Sequence, residues 1–206
     1  MDKKERLQQL TPREALEKLI DGNLRFQKSE HINRDFMQEV RAFSGRQYPF
    51  AIILGCIDSR VPVEILFDQG VGDLFVTRVA GNFENNDILA SMEFACKVVG
   101  SKLIMVLGHE DCGAVKAAYD NVNTGYLSSL TKKIKPAIDK TYAKGVNSTD
   151  KEEYVNATAK VNVQLTLQRI RKKSSIINTL EKKGQLLLVG AFYHLDSGSV
   201  SIIRET

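Results

Sequence analysis

No apolar run in this chain approaches the roughly 18 residues of a membrane span, so no membrane partner is expected. The first residues, Met1 to Arg6, lead into mixed polar sequence without the apolar stretch of a secretory signal, which makes a cytoplasmic location the expectation. Charge of one sign is missing as well: 29 basic and 25 acidic residues interleave to a net charge of +4. The exception, Arg169-Ile170-Arg171-Lys172-Lys173, falls where a helix is expected to end. There it complements the helix dipole as a solvated end, and no nucleic-acid partner is expected. Cysteine is scarce. Three thiols, an odd number without a Cys-x-x-Cys pair, argue against a disulfide framework or a redox pair. They are left as metal ligands, nucleophiles or buried hydrophobes. Internal repeats and low-complexity tracts are absent, and the sequons at Asn147 and Asn156 carry little weight without export.

What is present is ordinary for a globular protein: 206 residues, 43% hydrophobic and 26% charged, enough to bury a core without staples. We expect one domain over 1–206, its first 45 residues forming a helical arm. Thr11-Pro12-Arg13-Glu14 reads as an N-cap, a proline in the first turn and a capping-box glutamate, with Leu16, Leu19, Ile20 and Leu24 at helical spacing behind it. Residues 30–49 show no clean period. Three short runs, Phe50 to Leu54, Leu74 to Val79 and Leu103 to Leu107, are nearly unalternated, as suits strands buried on both faces. Helical patterns alternate with them, at Asp87 to Val99, whose stripe includes Met92 and Cys96, and at Gly113 to Tyr119. The order predicts an α/β fold with a mostly parallel central sheet flanked by helices. Leu127 to Leu180 reads as helical, interrupted by Pro136 and by a loop near Gly145 to Thr149. Leu186 to Tyr193 is a fourth buried run, and Asp196-Ser197-Gly198-Ser199 turns into a C-terminal antiparallel edge strand, Val200 to Arg204. Cys96 and Met105 are expected in the core, and His31 and His194 as surface or core histidines.

Ligands of parallel sheets bind at the carboxyl ends of the strands. Two reactive clusters sit at such ends here: Cys56-Ile57-Asp58-Ser59-Arg60, and His109-Glu110-Asp111-Cys112-Gly113 immediately after the third strand. Residues two apart on extended chain point to one side, and residues three apart in a helical turn share a face, so Cys56, His109 and Cys112 can converge. Cys, His and Cys form a three-ligand zinc set that leaves a fourth position open, and the start of a helix at Cys112 favours its thiolate. Asp58 is a conditional fourth ligand, which Arg60 can hold off the metal by a bidentate grip. Taken singly, each of these residues also has an ordinary structural reading, a buried thiol or a structural ion pair.

The blocks Cys56-Ile57-Asp58-Ser59-Arg60-Val61-Pro62, Gly72-Asp73-Leu74-Phe75-Val76 with Arg78 and Asn82, and Gly108-His109-Glu110-Asp111-Cys112-Gly113-Ala114-Val115 together resemble the beta-class carbonic anhydrases. The resemblance implies one zinc ion per chain on Cys56, His109 and Cys112, and an Asp58–Arg60 catalytic dyad orienting a zinc-bound hydroxide. The implied reaction is reversible hydration of carbon dioxide to bicarbonate and a proton. It also implies substrate contacts at Gln47, Phe75, Ala80, Phe94 and Gly113, partly across a subunit boundary, in a homodimer or dimer-built tetramer. Ile57, Val79, Ala80 and Phe94 depart from residues frequent in that family. Ile53 replaces a tryptophan of the bicarbonate-regulated branch, so an unregulated open site is expected. Two alternatives stand beside this reading: a hydrolase of carbon disulfide or carbonyl sulfide at the same site, and a non-catalytic zinc-stabilised binding protein closed by Asp58.

Overall fold

The computed structural model describes residues 9–145 and 150–203, so Asn147 and Arg204 lie outside the described residues. The expected first helix is α1, Pro12–Lys28. Its capping box is reciprocal: Thr11 Oγ1 accepts from the Glu14 amide at 3.2 Å, and Glu14 Oε2 accepts from the Thr11 amide at 2.7 Å. Ala15 and Leu19 anchor α1 in the core beside Phe50 and Phe67. Residues 30–49 are not aperiodic after all. They hold α2, Phe36–Phe43, capped by Asp35. Phe36, Met37 and Val40 of α2 are exposed and none of its residues is buried, which is why no burial pattern announced it.

Five strands, β1 (Ala51–Gly55), β2 (Leu74–Arg78), β3 (Leu103–His109), β4 (Leu187–Tyr193) and β5 (Val200–Ile203), form one sheet in the order β2-β1-β3-β4-β5. All pairings are parallel except β4 with β5, which is antiparallel. β1 and β3 are buried throughout, as their unalternated runs require. β2 corrects the same reading for Leu74 to Val79: it is an edge strand and only half-buried. The crossovers are helical: α3 (Val63–Leu66), α4 (Asn86–Glu93), α5 (Gly113–Tyr119), α6 (Leu127–Ala143), α7 (Lys151–Lys173) and α8 (Ser175–Lys182).

Three further expectations need correction. The helix expected over Asp87 to Val99 is α4 followed by a π-helical turn, Phe94–Val99, closed where Gly100 donates to the Ala95 carbonyl at 3.0 Å. Cys96 nevertheless lands in the core, where burial raises its thiol pKa to about 12. Pro136 does not interrupt its segment but sits inside α6. The proline faces solvent, which can satisfy the carbonyl it frees, while Ile134, Ala137 and Thr141 hold the opposite face buried. The basic run ends α7 with Lys172 and Lys173 exposed, but it is not merely a solvated end: Arg169 and Lys173 both reach the buried Glu84 at 2.8 Å, and Arg171 pairs with Glu181 at 2.8 Å. No helix among the described residues is long and apolar enough to cross a membrane.

α7 lies close on the sheet because Gly190 lets it. A Cβ at Gly190 would fall 2.7 Å from Val163 Cγ1 and 3.1 Å from Leu167 Cδ1. Gly190→Ala should therefore lower stability by about 1–3 kcal/mol, the usual cost of overpacking, read as a lower denaturant midpoint at unchanged slope.

Candidate metal centre

β1 and β3 are parallel neighbours, so both leave the sheet at the same end. Cys56 follows directly on β1. His109 is the last residue of β3 rather than the first beyond it, because β3 runs two residues past the apolar stretch. Three positions on, Cys112 is the N-cap of α5. The donor atoms of Cys56, His109 and Cys112 all lie within 4.8 Å of one another, and the two sulfurs are 4.0 Å apart. Two sulfurs on a tetrahedral zinc with bonds of about 2.3 Å stand roughly 3.8 Å apart. All three residues are buried.

The histidine supplies the test of fit. His109 Nδ1 lies 2.7 Å from the Glu110 carbonyl oxygen, which can only accept, so Nδ1 carries the proton and Nε2 presents its lone pair. That Nε2 is buried with no hydrogen-bond partner among the described residues. A buried, unpaired imidazole nitrogen beside two thiols is costly in a protein interior and is what a zinc ion satisfies. Electrostatics within the thiol pair point the same way. A hydrogen bond from Cys112 holds Cys56 well below the ordinary thiol range, against the opposing effect of burial. Cys112 is pushed up, by its bond to Cys56 and by burial. The amides at the start of α5 act in the opposite direction, toward the Cys112 thiolate, and a cation makes two thiolates compatible at this distance.

Asp58 stands beside the cluster without joining it. Its Oδ1 accepts from the amide and Nε of Arg60 at 2.9 and 3.0 Å, and its Oδ2 from Arg60 Nη2 at 2.9 Å. This bidentate grip lowers the carboxyl pKa to about 2, against a smaller opposing effect of burial. Arg60 is itself steadied by Asp111, with Nη1 to Oδ2 and Nη2 to the carbonyl oxygen both at 3.4 Å. Two further contacts were not foreseen. Arg78, at the end of β2, donates to the carbonyls of Cys56 at 2.7 Å and Asp58 at 2.6 Å, clamping the loop that carries both. The Gly81 amide lies 3.4 Å from Cys56 Sγ. Gly81 holds φ +80°, and a Cβ there would meet Ile134 Cδ1 at 2.7 Å. The block Gly72 to Val76 with Arg78 and Asn82 singled out Arg78 in the sequence but gave it no role; Gly81 had no signal beyond being glycine.

The remaining expected contacts separate into two groups. Ala80 precedes the Gly81 amide, and Gly113 opens α5 with an N–H that has no intrahelical acceptor, so both lie at the cluster. Gln47, Phe75 and Phe94 are not brought there by their own chain. Gln47 precedes β1, whose far end carries Cys56. Phe75 pairs with Ile52, three registers back from the Gly55–Arg78 level; it packs against the core cluster of Ile52 and Met92, and its ring meets Phe94 at 6.4 Å between centroids.

The family model described as carbonic anhydrase matches residues 51–200. A carbonic anhydrase of Mycolicibacterium smegmatis is 36% identical over 197 residues, covering 93% of this chain and 93% of that protein. Among solved structures, the Coccomyxa beta-carbonic anhydrase in complex with acetazolamide superimposes with a TM-score of 0.74 at 26% identity, covering 82% of this chain and 78% of that one. A tetrameric beta-carbonic anhydrase of Sordaria macrospora gives a TM-score of 0.74 at 24% identity, covering 82% and 85%.

Proposed function

The chain belongs to the beta-class carbonic anhydrases, and from that premise we propose that it hydrates carbon dioxide reversibly to bicarbonate and a proton in the cytoplasm, with one zinc ion per chain on Cys56, His109 and Cys112. The observation that carries this reading is the buried, unpaired Nε2 of His109 beside the two sulfurs. When bound, zinc supplies a Lewis acid that lowers the pKa of water to generate the nucleophile. Asp58, ionised and held at both oxygens by Arg60, would accept a hydrogen bond from a water bound at that site, and the arginine keeps the carboxylate away from the three donors. This grip favours an open site over the closed binding protein. The Gly113 amide can donate to charge developing on a substrate oxygen, and Ala80 offers apolar surface to an uncharged linear molecule. We read Gln47, Phe75 and Phe94 as contributions to the site of a neighbouring protomer in a homodimer or dimer-built tetramer.

The test is stopped-flow hydration of carbon dioxide across pH. Two thiolates offset the charge of the dication, so the ionisation producing the nucleophile lies above the value near 7 known for a three-histidine zinc site. Asp58, at about 2, titrates far below the working range and contributes no inflection there. Turnover should therefore rise from about pH 6.5 to 9 along a single basic limb. A flat profile contradicts this account. Turnover of carbonyl sulfide or carbon disulfide without hydration of carbon dioxide would move the substrate assignment.

A further inference from the structure

We propose that Asn156 is a positioning residue for the metal centre, acting through the peptide unit between Glu110 and Asp111. The inference rests on Cys56, His109 and Cys112 being zinc ligands. His109 Nε2 faces the sulfurs only while its ring is held at one rotation, and what holds it is the bond from Nδ1 to the Glu110 carbonyl. That carbonyl shares its planar peptide with the N–H of Asp111, which donates to Asn156 Oδ1 at 2.9 Å. One rigid unit is thus held at its oxygen by the histidine and at its nitrogen by the asparagine.

Two observations show that the unit needs holding. Asp111 sits at φ +55°, the left-handed region that side chains of L residues disfavour. The Asp111 N–H is also partly buried, and Asn156 is its acceptor among the described residues, so rotating the peptide toward water in its absence would take the Glu110 carbonyl off the histidine. The other side of the unit is fixed independently. Glu110 donates its amide to the Tyr193 carbonyl at 3.0 Å, while its carboxylate accepts from the Leu195 amide at 2.9 Å and meets His194 Nδ1 at 2.8 Å. Asn156 is the matching anchor from α7. Its neighbours Val155 and Ala159 pack in the same cluster as Cys56 and Cys112, so α7 brings it to one place.

Partners that orient a metal-bound histidine are typically worth about 10- to 100-fold in metal affinity. The experiment is a zinc competition titration against a chromophoric chelator at fixed pH, on the parent, Asn156→Leu and Asn156→Asp. Asn156→Leu keeps the volume but has no acceptor, and should bind zinc about 10- to 100-fold more weakly. Asn156→Asp keeps an oxygen for the Asp111 N–H and should bind close to the parent. If Asn156→Leu does not fold, Asn156→Ala takes its place with the same expectation. Parent-like zinc affinity in the acceptor-free variant, or equal loss in both, overturns the inference and leaves the metal site standing. A parent that binds no zinc overturns the metal site and the inference with it.

Discussion

Arg60→Ala should lower turnover by about 10²-fold or more, the scale of a catalytic group displaced by an ångström, while the protein keeps one zinc per chain. The arginine makes three hydrogen bonds to Asp58 and none to the metal donors. Removing its side chain takes away the bidentate part of the grip. The carboxyl then returns from about 2 toward the ordinary value near 4 and stays ionised at neutral pH, so the loss is one of position and not of charge. Freed of that grip, the carboxylate could become a fourth ligand to a bound metal and occupy the position the nucleophile needs. Arg60→Lys restores a charge without the planar fork and should recover only part of the rate. Metal analysis and stopped-flow hydration on the same preparations decide the matter; wild-type turnover in Arg60→Ala refutes the gating role.

Cys56→Ala should lower zinc affinity by about 10³-fold, if the roughly 10–16 kcal/mol typical of thiolate-rich zinc sites is spread over the donors. Its effect on stability depends on the metal. In zinc the parent gains binding free energy that the variant lacks, so the variant melts lower. With a chelator present the parent is left with a buried thiolate beside a buried thiol, whereas alanine removes that pair and leaves only a small cavity. The two proteins should then differ by about 1 kcal/mol or less. Thermal melts with and without chelator measure both halves. A Cys56→Ala variant equally destabilised in both conditions would mean that the sulfur is structural and not a ligand.

The chemistry of the centre was legible because its residues are clustered in sequence and set at strand ends, where a parallel sheet puts its ligands. Cys56, Asp58 and Arg60 share one loop, and His109 and Cys112 another, so local spacing together with one β1–β3 pairing was enough. What was not legible was long-range. Arg78 reaches the site only because β2 pairs with β1 in one particular register, and Asn156 because α7 lies close on β3 and β4, where Gly108 and Gly190 leave it room. Gln47, Phe75 and Phe94 mark a different limit: their places follow from the element they sit on, and one chain leaves them away from its own centre. Helix boundaries failed for two opposite reasons, a tertiary force overriding a local signal in α6 and the lack of any buried face to read in α2. α6 runs through Pro136 on the strength of its buried face, and α2 exists without burying any residue in its own chain.

The central claim, that Cys56, His109 and Cys112 hold the zinc on which carbon dioxide hydration depends, is tested most directly by titrating zinc back into metal-free protein while following hydration by stopped flow. The account predicts no turnover above buffer without metal, a linear rise with added zinc, and a break at one equivalent per chain. Turnover that persists in metal-free protein, or one equivalent of bound zinc with no hydration from about pH 6.5 to 9, would contradict it.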